Sequence, residues 1–217
     1  MKLIVINLVV FFSLHSLFVF GQTQHKEVKA KLETIFDDDQ RIRVSFDSLI
    51  NIHGYESGQV KFFIDHVMVK VDSANLSSVE KIIKQYGWLG TSSVGGKANQ
   101  TLWLVVQHGS LPEQEKYLPL LRKSVSAGES LPMHLGMLED RIALAKRNKQ
   151  VYGTQLWTNI DGSLYIAPLL DPDKVNERRK EIGLGQIEIY AKEHGFVWDL
   201  KAYKLKMPEY EVLLQQN

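Results

Sequence analysis

Residues 139–157, EDRIALAKRNKQVYGTQLW, mark the point where the pattern of apolar residues changes from helical to extended. Before this stretch, apolar side chains recur at intervals of three and four residues, which is typical of amphipathic helices. After it, residues 154–169 (TQLWTNIDGSLYIAPL) alternate in polarity, and Asp161-Gly162 is a turn signal between two short strands. The sequence therefore predicts a helical body followed by a small β-hairpin late in the chain.

Helical spacing extends over most of the remaining chain. We predict helices at about residues 26–49, 97–108, 111–126, 132–146, 171–182 and 186–194. Asn75 can cap a further helix that ends before Gly87, residues 60–71 are ambiguous between helix and strand, and we expect an extended arm from Phe196 onwards. The predicted fold class is mainly α: a single multi-helix domain, residues 22–217, with a small late β-hairpin.

The N-terminus carries an apolar run from Leu3 to Phe20 behind the positive Lys2. Val19 and Gly21 are small enough for the −3 and −1 positions of a cleavage site. We therefore predict a signal peptide at residues 1–21 and a secreted or periplasmic protein with no stable membrane span after cleavage. The alternative is an uncleaved membrane anchor, because the run is nearly long enough to span a bilayer.

The charge balance and the residue inventory exclude several classes of function. The 26 Lys and Arg residues nearly cancel the 25 Asp and Glu residues, so the sequence predicts no nucleic-acid partner. With no cysteine, the chain has no disulfide, thiolate nucleophile or cysteine zinc site. It also lacks HExxH, P-loop, GxSxG and dinucleotide motifs, and no two histidines are four residues apart. We therefore predict no metal site from the motifs; the alternative is one assembled from ligands on separate helices, which no spacing supports. The sequence leaves the cofactor unknown.

The connection between the predicted helix 132–146 and the hairpin, residues 146–155, is rich in polar side chains, and we call it the joint. It is the first candidate binding site. Tyr152, Thr154 and Gln155 can read a ligand without charge, and Gly153 permits a close approach of the backbone. Such side chains can equally satisfy the buried backbone groups of their own loop. Both interpretations predict that the joint is polar and partly enclosed.

The helix before the joint carries the adjacent charges Asp140 and Arg141. Adjacent helical residues point about 100° apart, so the two side chains can flank a groove but cannot face one point together. Arg141 can hold a carboxylate or phosphate by its planar fork, and Asp140 can orient a histidine. The alternative is a solvated pair or a structural ion pair.

His108 shares a helical face with Leu104 and Val105, which directs its imidazole toward the interior or a cleft. An imidazole there can act as a general base, or it can be a core histidine bonded to a backbone carbonyl. Further along the chain, Arg179 lies on an inward helical stripe, whereas we expect the neighbouring Arg178 to be solvated.

Asp39 and Arg43 lie one helical turn apart near the start of the chain. Their shared face makes Arg43 a candidate ligand-binding residue with Asp39 beside it, or makes the two an intrahelical ion pair.

Several stretches resemble the pattern of an uncharacterised bacterial family, the DUF6624 family. They are DQRIR (39–43), DSANLSSVEKIIKQYGW (72–88), VGGKANQTLWLVVQH (94–108), LEDRIALAKRNKQVYGTQ (138–155) and DPDKVNERRKEIGL (171–184). The resemblance spans about residues 32–190 and departs at Leu89, where the family's turn has proline. It implies a shared fold and a set of motif positions but no reaction; the positions are Asp39, Arg43, Asp72, His108, Asp140, Arg141, Gln150, Tyr152, Gly153, Thr154, Gln155 and Arg179.

Three functions fit these residues. The first is an exported hydrolase or transferase acting on a small anionic or cell-envelope substrate. In it His108 is the base or acid, Asp140 orients it or supplies a second carboxylate, and Arg43, Arg141 and Arg179 hold the anion. The second is a non-catalytic ligand-binding or interaction module that uses the same pocket, whose neutral groups such as Gln155 and Thr154 suit it equally well. The partner that these residues suggest is a small-molecule anionic ligand. The third is a buried polar network that only fixes helix packing.

The first two functions share one spatial expectation. Both require His108, Arg141 and the turn at residues 152–155 to line a single pocket that solvent can reach.

Overall fold

The computed structural model describes residues 4–159 and 162–216, with side chains described from residue 25 onwards. The predicted signal peptide, residues 1–21, lies outside the described side chains, and Asp161 of the predicted turn lies outside the described residues. Within the described part of the chain, no helix has an apolar stretch long enough to cross a membrane. The chain divides into two compact units, Met1–Val105 and Val106–Asn217.

The N-terminal unit is built from helices. Its elements are α1 (Ile4–His53), α2 (Gly58–Phe63), a π-helical segment (Ile64–Met68), α3 (Val69–Tyr86), α4 (Thr91–Val94) and α5 (Gly96–His108), which continues into the second unit. Helices α2, α3 and α4 each pack against α1. The core lies along their apolar stripes because residues three and four apart share one helical face; it includes Leu32, Ile35, Val60, Leu76, Val79 and Ile83.

The start of α3 differs from the prediction. Asn75 does not cap a helix, because helical backbone runs without a break from Gly58 through the π-helical segment into α3. The ambiguous residues 60–71 are therefore helical. The predicted end is confirmed: Gly87 follows α3 with a φ of 73° and donates its backbone N–H to the carbonyl of Ile83.

The C-terminal unit combines helices with the late hairpin. Its elements are α6 (Leu111–Ser126), α7 (Pro132–Ala145), β1 (Leu156–Thr158), β2 (Leu164–Ile166), a 3₁₀ turn (Pro172–Lys174), α8 (Val175–Glu181), α9 (Ile187–Glu193) and α10 (Leu200–Gln216). Strands β1 and β2 pair antiparallel, with Trp157 opposite Tyr165. The mainly α fold class with a late β-hairpin is confirmed, whereas the single domain at residues 22–217 stays a prediction.

The last helix corrects the predicted extended arm. Residues 200–216 form α10, and its buried side chains Tyr203 and Tyr210 pack on a core with Ile166, Leu169 and Ile187. The hydroxyl of Tyr203 donates to the carbonyl of Ala167 at 2.9 Å, so α10 is also tied by a hydrogen bond to the segment after β2.

Candidate functional site in the C-terminal unit

The joint between α7 and β1 begins with a left-handed residue. Arg147 has a φ of 60°, which is uncommon for a residue with a side chain. The backbone N–H of Asn148 donates to the carbonyl of Ala143 at 2.8 Å, so the chain turns sharply away from the helix axis. This turn brings residues 150–155 back alongside the C-terminal half of α7.

Asp140 is the centre of the joint. Its carboxylate is fully buried and accepts the backbone N–H groups of Val151 at 2.6 Å, Tyr152 at 3.0 Å and Thr154 at 3.1 Å. The hydroxyl of Thr154 donates a fourth hydrogen bond at 2.9 Å. A single helical carboxylate therefore fixes the path of the turn at residues 151–154.

Gln150 anchors the same joint to the segment after the hairpin. Its fully buried side chain donates to the carbonyls of Gln155 and Ala167, each at 2.9 Å, and accepts the backbone N–H of Gln155 at 2.9 Å. Its backbone pairs with Pro168 and Leu170. These hydrogen bonds fix the joint both within itself and to the segment after the hairpin, without a ligand.

Arg179 binds the carbonyl side of the turn. The residue is 2% exposed, and its guanidinium donates to Gly185 at 2.6 Å, Tyr152 at 2.9 Å and Gly153 at 3.3 Å. It also lies over the ring of Tyr190, 5.0 Å from the centroid. The predicted inward position of Arg179 is confirmed.

Arg178 was expected to be solvated, and this prediction is wrong. Its guanidinium donates to the carbonyl of Val151 at 2.8 Å and to those of Leu170 and Asp171. The side chain is only partly exposed because it spans the groove between the joint and the segment after β2. Two consecutive arginines of α8 therefore bind backbone carbonyls of the joint.

The electrostatics of the site follow from burial and from nearby charges. Burial raises the pKa of Asp140, and this effect is larger than the opposite effect of the hydrogen bonds that the carboxylate accepts from the turn. Burial also raises the pKa of the Tyr190 phenol; Arg179 and Arg141 act against this shift, and Asp140 adds to it. The Tyr190 hydroxyl, which donates to the carbonyl of Thr154 at 2.8 Å, is therefore within electrostatic range of two guanidiniums and one carboxylate.

Exposure separates the residues of the site into two kinds. Asp140, Thr154 and Arg179 are buried, whereas Arg141 and Gln155 are only partly buried. The Gln155 amide donates to the hydroxyl of Thr154 at 3.1 Å and so lies directly over the buried network. Arg141 and Gln155 are therefore more accessible to solvent than the residues of the buried network.

Tyr152 connects the joint to α7 and α8. Carbon atoms of its ring lie 3.0 and 3.1 Å from where a Cβ at Gly136 would sit, so the glycine leaves the space that the ring occupies. Burial raises the pKa of the Tyr152 phenol, and Glu139, Asp140 and Glu181 add to the rise. The phenol therefore stays protonated, as a hydrogen-bond donor, at neutral pH.

The other predicted ligand residues, Asp39 and Arg43, belong to a cluster within the N-terminal unit. The carboxylate of Asp39 is buried and lies 3.4 Å from the guanidinium of Arg43. Arg43 also pairs with Asp72 of α3, a residue 29 positions later. The intrahelical ion pair is confirmed, and Asp72 extends it into a link between α1 and α3.

The predicted catalytic residues are placed as follows. Asp140 belongs to the buried network, Arg141 lies near Tyr190, and His108 is the last, partly buried residue of α5. Tyr152, Thr154, Gln155 and Arg179 gather around Asp140. Catalytic roles for His108, Asp140 and Arg141, and the pocket they were expected to share with the turn, stay predictions.

Two residues were missed from sequence. Tyr190 follows the buried Ile187 by three positions, so helical spacing alone places its ring on the inner side of α9, where its hydroxyl needs a partner. His134 is buried near the start of α7, and desolvation lowers its pKa to about 4. No motif marks His134, and only its helical spacing to the buried Leu138 signals an inward position.

The comparisons with known proteins give a family and no function. The chain matches a family of unknown function, DUF6624, over residues 26–206. No curated protein and no solved structure matches it. The matched region contains every residue of the buried network described above, and it covers most of the 217 residues. The chain therefore belongs to the DUF6624 family.

Proposed function

We propose that the C-terminal unit binds a small anionic ligand, without turning it over, at the surface formed by Arg141, Gln155 and Tyr190. The observation that carries this proposal is that two guanidiniums, those of Arg141 and Arg179, lie within electrostatic range of the Tyr190 hydroxyl. Guanidinium groups favour carboxylates and phosphates, which accept paired N–H donors from the planar fork.

The hydrogen bonds of the buried residues favour binding over catalysis. Asp140 accepts four donors from residues 151–154, and Arg179 donates to three carbonyls. Groups used in this way hold a surface rigid, which lowers the entropic cost of ligand binding. They are poorly suited to a proton transfer, because each protonation change would break several of these bonds.

Partial exposure supports the choice of the residues that would touch the ligand. Arg141, Gln155 and Tyr190 are each partly exposed, whereas Asp140 and Arg179 are buried beneath them. Arg141 would supply the charge, and the Gln155 amide would supply a neutral donor or acceptor. Tyr190 would contribute the positive edge of its ring, because the Arg179 guanidinium already lies over the ring face.

The test is thermal unfolding of the full chain at constant ionic strength, with inorganic phosphate, citrate or a sugar phosphate replacing chloride. We expect at least one anion to stabilise the protein, by about 2.7 kcal/mol at 100 times its Kd. Arg141→Gln should abolish this stabilisation, measured against the same variant in chloride. Arg122→Gln, at the exposed partner of Glu139, is the matched control and should keep the response.

The proposal fails if none of these anions stabilises the wild type more than chloride does, or if Arg141→Gln responds like the wild type. The same samples test the enzyme hypothesis. If the wild type consumes the sugar phosphate and a correctly folded His108→Ala variant does not, the result would favour a hydrolase or transferase.

We also propose that the protein is exported. The apolar run at residues 3–20 behind Lys2 supports a cleaved signal peptide. N-terminal sequencing of the mature protein tests this proposal and should begin at Gln22. A first residue upstream of the run would instead indicate a retained anchor.

A further inference from the structure

Helix α10 has apolar residues on two opposite faces. Its inner face carries Tyr203, Tyr210 and Leu214, which are buried in the core. On its outer face, Leu205 is 77% exposed and Val212 is 57% exposed. A surface helix that packs on one side only has little reason to place large aliphatic side chains on the other.

The outer residues follow the spacing of a helix–helix contact. Leu205 and Val212 are seven residues apart, and Lys201 and Pro208 fall on the same face at positions four before and three after Leu205. A spacing of seven keeps two side chains on the seam between paired helices. The outer face of α10, defined by Lys201, Leu205, Pro208 and Val212, therefore has the pattern of one partner in a helix pair.

The charges of α10 select the orientation of that pair. The N-terminal half, residues 200–208, contains Lys201, Lys204 and Lys206 and no acidic residue. The C-terminal half, residues 209–216, contains Glu209 and Glu211 and no basic residue. An antiparallel partner with the same sequence places lysines against glutamates, whereas a parallel one places like charges together.

We infer that the outer face of α10 binds the same face of a second copy of this chain in an antiparallel, two-fold symmetric pair. Leu205 of each copy packs against Val212 of the other, and the two-fold axis passes close to Pro208 and Glu209. Such a contact is isologous, so one patch serves both copies and the assembly closes as a dimer.

The charges next to the seam agree with this register. Antiparallel pairing brings the same side of the two helices together, so Lys206 of one copy lies across from Glu209 of the other, and Lys204 lies across from Glu211. Lys204 and Glu211 already pair within the chain with Asp173 and Lys149, respectively. Because these pairs are exposed, they bind weakly and can exchange partners at the interface.

Sedimentation equilibrium of the full chain over a range of concentrations tests the dimer. We expect a reversible monomer–dimer equilibrium that weakens at least tenfold in Leu205→Glu/Val212→Glu. Both variant positions are exposed, so the fold should be retained, which circular dichroism verifies. Self-association through the apolar N-terminal segment would persist in this variant and would overturn the inference.

A charge exchange separates a specific pair from general apolar adhesion. Lys206→Glu should weaken the dimer because it places glutamates opposite one another, and the double variant Lys206→Glu/Glu209→Lys should restore it. If the double variant is no tighter than the single variant, the proposed antiparallel register is wrong.

Because the chain has no cysteine, single cysteines report the geometry directly. Pro208→Cys lies next to the two-fold axis and should form a disulfide-linked dimer under mild oxidation. Lys201→Cys should not, because antiparallel pairing places the two Lys201 positions about 20 Å apart along the helix axis. Equal cross-linking at both positions would indicate a parallel pair and would overturn the inference.

Discussion

Asp140 and Arg179 bind the same turn, residues 151–154, from opposite sides. The carboxylate accepts the N–H groups of the turn, and the guanidinium donates to the carbonyls of Tyr152 and Gly153. Both side chains are buried, so each charge depends on peptide groups in place of water. The turn and the two helices that carry these residues, α7 and α8, therefore stabilise one another.

Replacing Asp140 should destabilise the protein strongly. Asp140→Asn places an amide NH₂ where the carboxylate accepts N–H and O–H donors, so at least one donor loses its partner. We expect the free energy of unfolding to fall by about 3 kcal/mol, measured by urea denaturation.

The neighbouring Glu139 is the matched control for this change. Its carboxylate pairs with Arg122 at 2.8 Å in a partly exposed position. Glu139→Gln should cost less than about 1 kcal/mol. Equal losses in the two variants would show that the buried network contributes no more than a surface ion pair.

Arg179 should not tolerate lysine. A lysine keeps the charge but cannot reach the carbonyls of Gly185, Tyr152 and Gly153 together, because it lacks the planar fork. We expect Arg179→Lys to lower the free energy of unfolding by roughly 2 kcal/mol. Lys180→Arg, at an exposed position of the same helix, should leave it unchanged; a wild-type stability for Arg179→Lys would contradict the assigned role.

Gly153 and Gly162 provide a matched pair for backbone strain and packing. Both have positive φ angles, 67° and 83°, but a Cβ at Gly153 would lie 2.9 Å from Ile187, whereas a Cβ at Gly162 would meet no atom of the described residues within 4 Å. Both alanine variants share the cost of the left-handed conformation, and Gly153→Ala adds a steric overlap worth about 1–3 kcal/mol. The Tm of Gly153→Ala should therefore be well below that of Gly162→Ala. The reverse order would contradict the packing of Gly153 against Ile187.

His134 should make the protein less stable in mild acid. Burial lowers its pKa from 6.5 to about 4, so the unfolded chain binds a proton more readily than the folded protein between these values. Stability from this residue is complete above the unfolded pKa and is lost as pH falls toward the folded pKa. The loss between pH 7.5 and pH 5 should be about 2 kcal/mol.

Urea denaturation at both pH values measures this effect. His134→Leu removes the titrating group, so its stability should differ between the two pH values by about 2 kcal/mol less than that of the wild type. If the variant shows the same difference as the wild type, other groups cause the acid sensitivity.

The elements that sequence reasoning missed lie where local signals compete. The arm predicted after Phe196 is α10, whose inner stripe is obscured by Pro208 and by the exposed Leu205 and Val212. The capping signal at Asn75 was overridden because helical backbone continues into α3 from the preceding segment. At the start of α10 a local signal was available: the carboxylate of Asp199 accepts the backbone N–H of Ala202 at 3.0 Å and caps the helix.

The sequence by itself determined the mainly α class, the late hairpin, the joint at residues 146–155 and the inward position of Arg179. These are consequences of periodicity and turn chemistry, which act over a few neighbouring residues. Tertiary structure decided that Asp140 binds the backbone of a turn 11 to 14 residues away and that Tyr190 joins them from α9. A polar side chain can satisfy its hydrogen bonds in many ways, and only the path of the chain selects which groups come within reach.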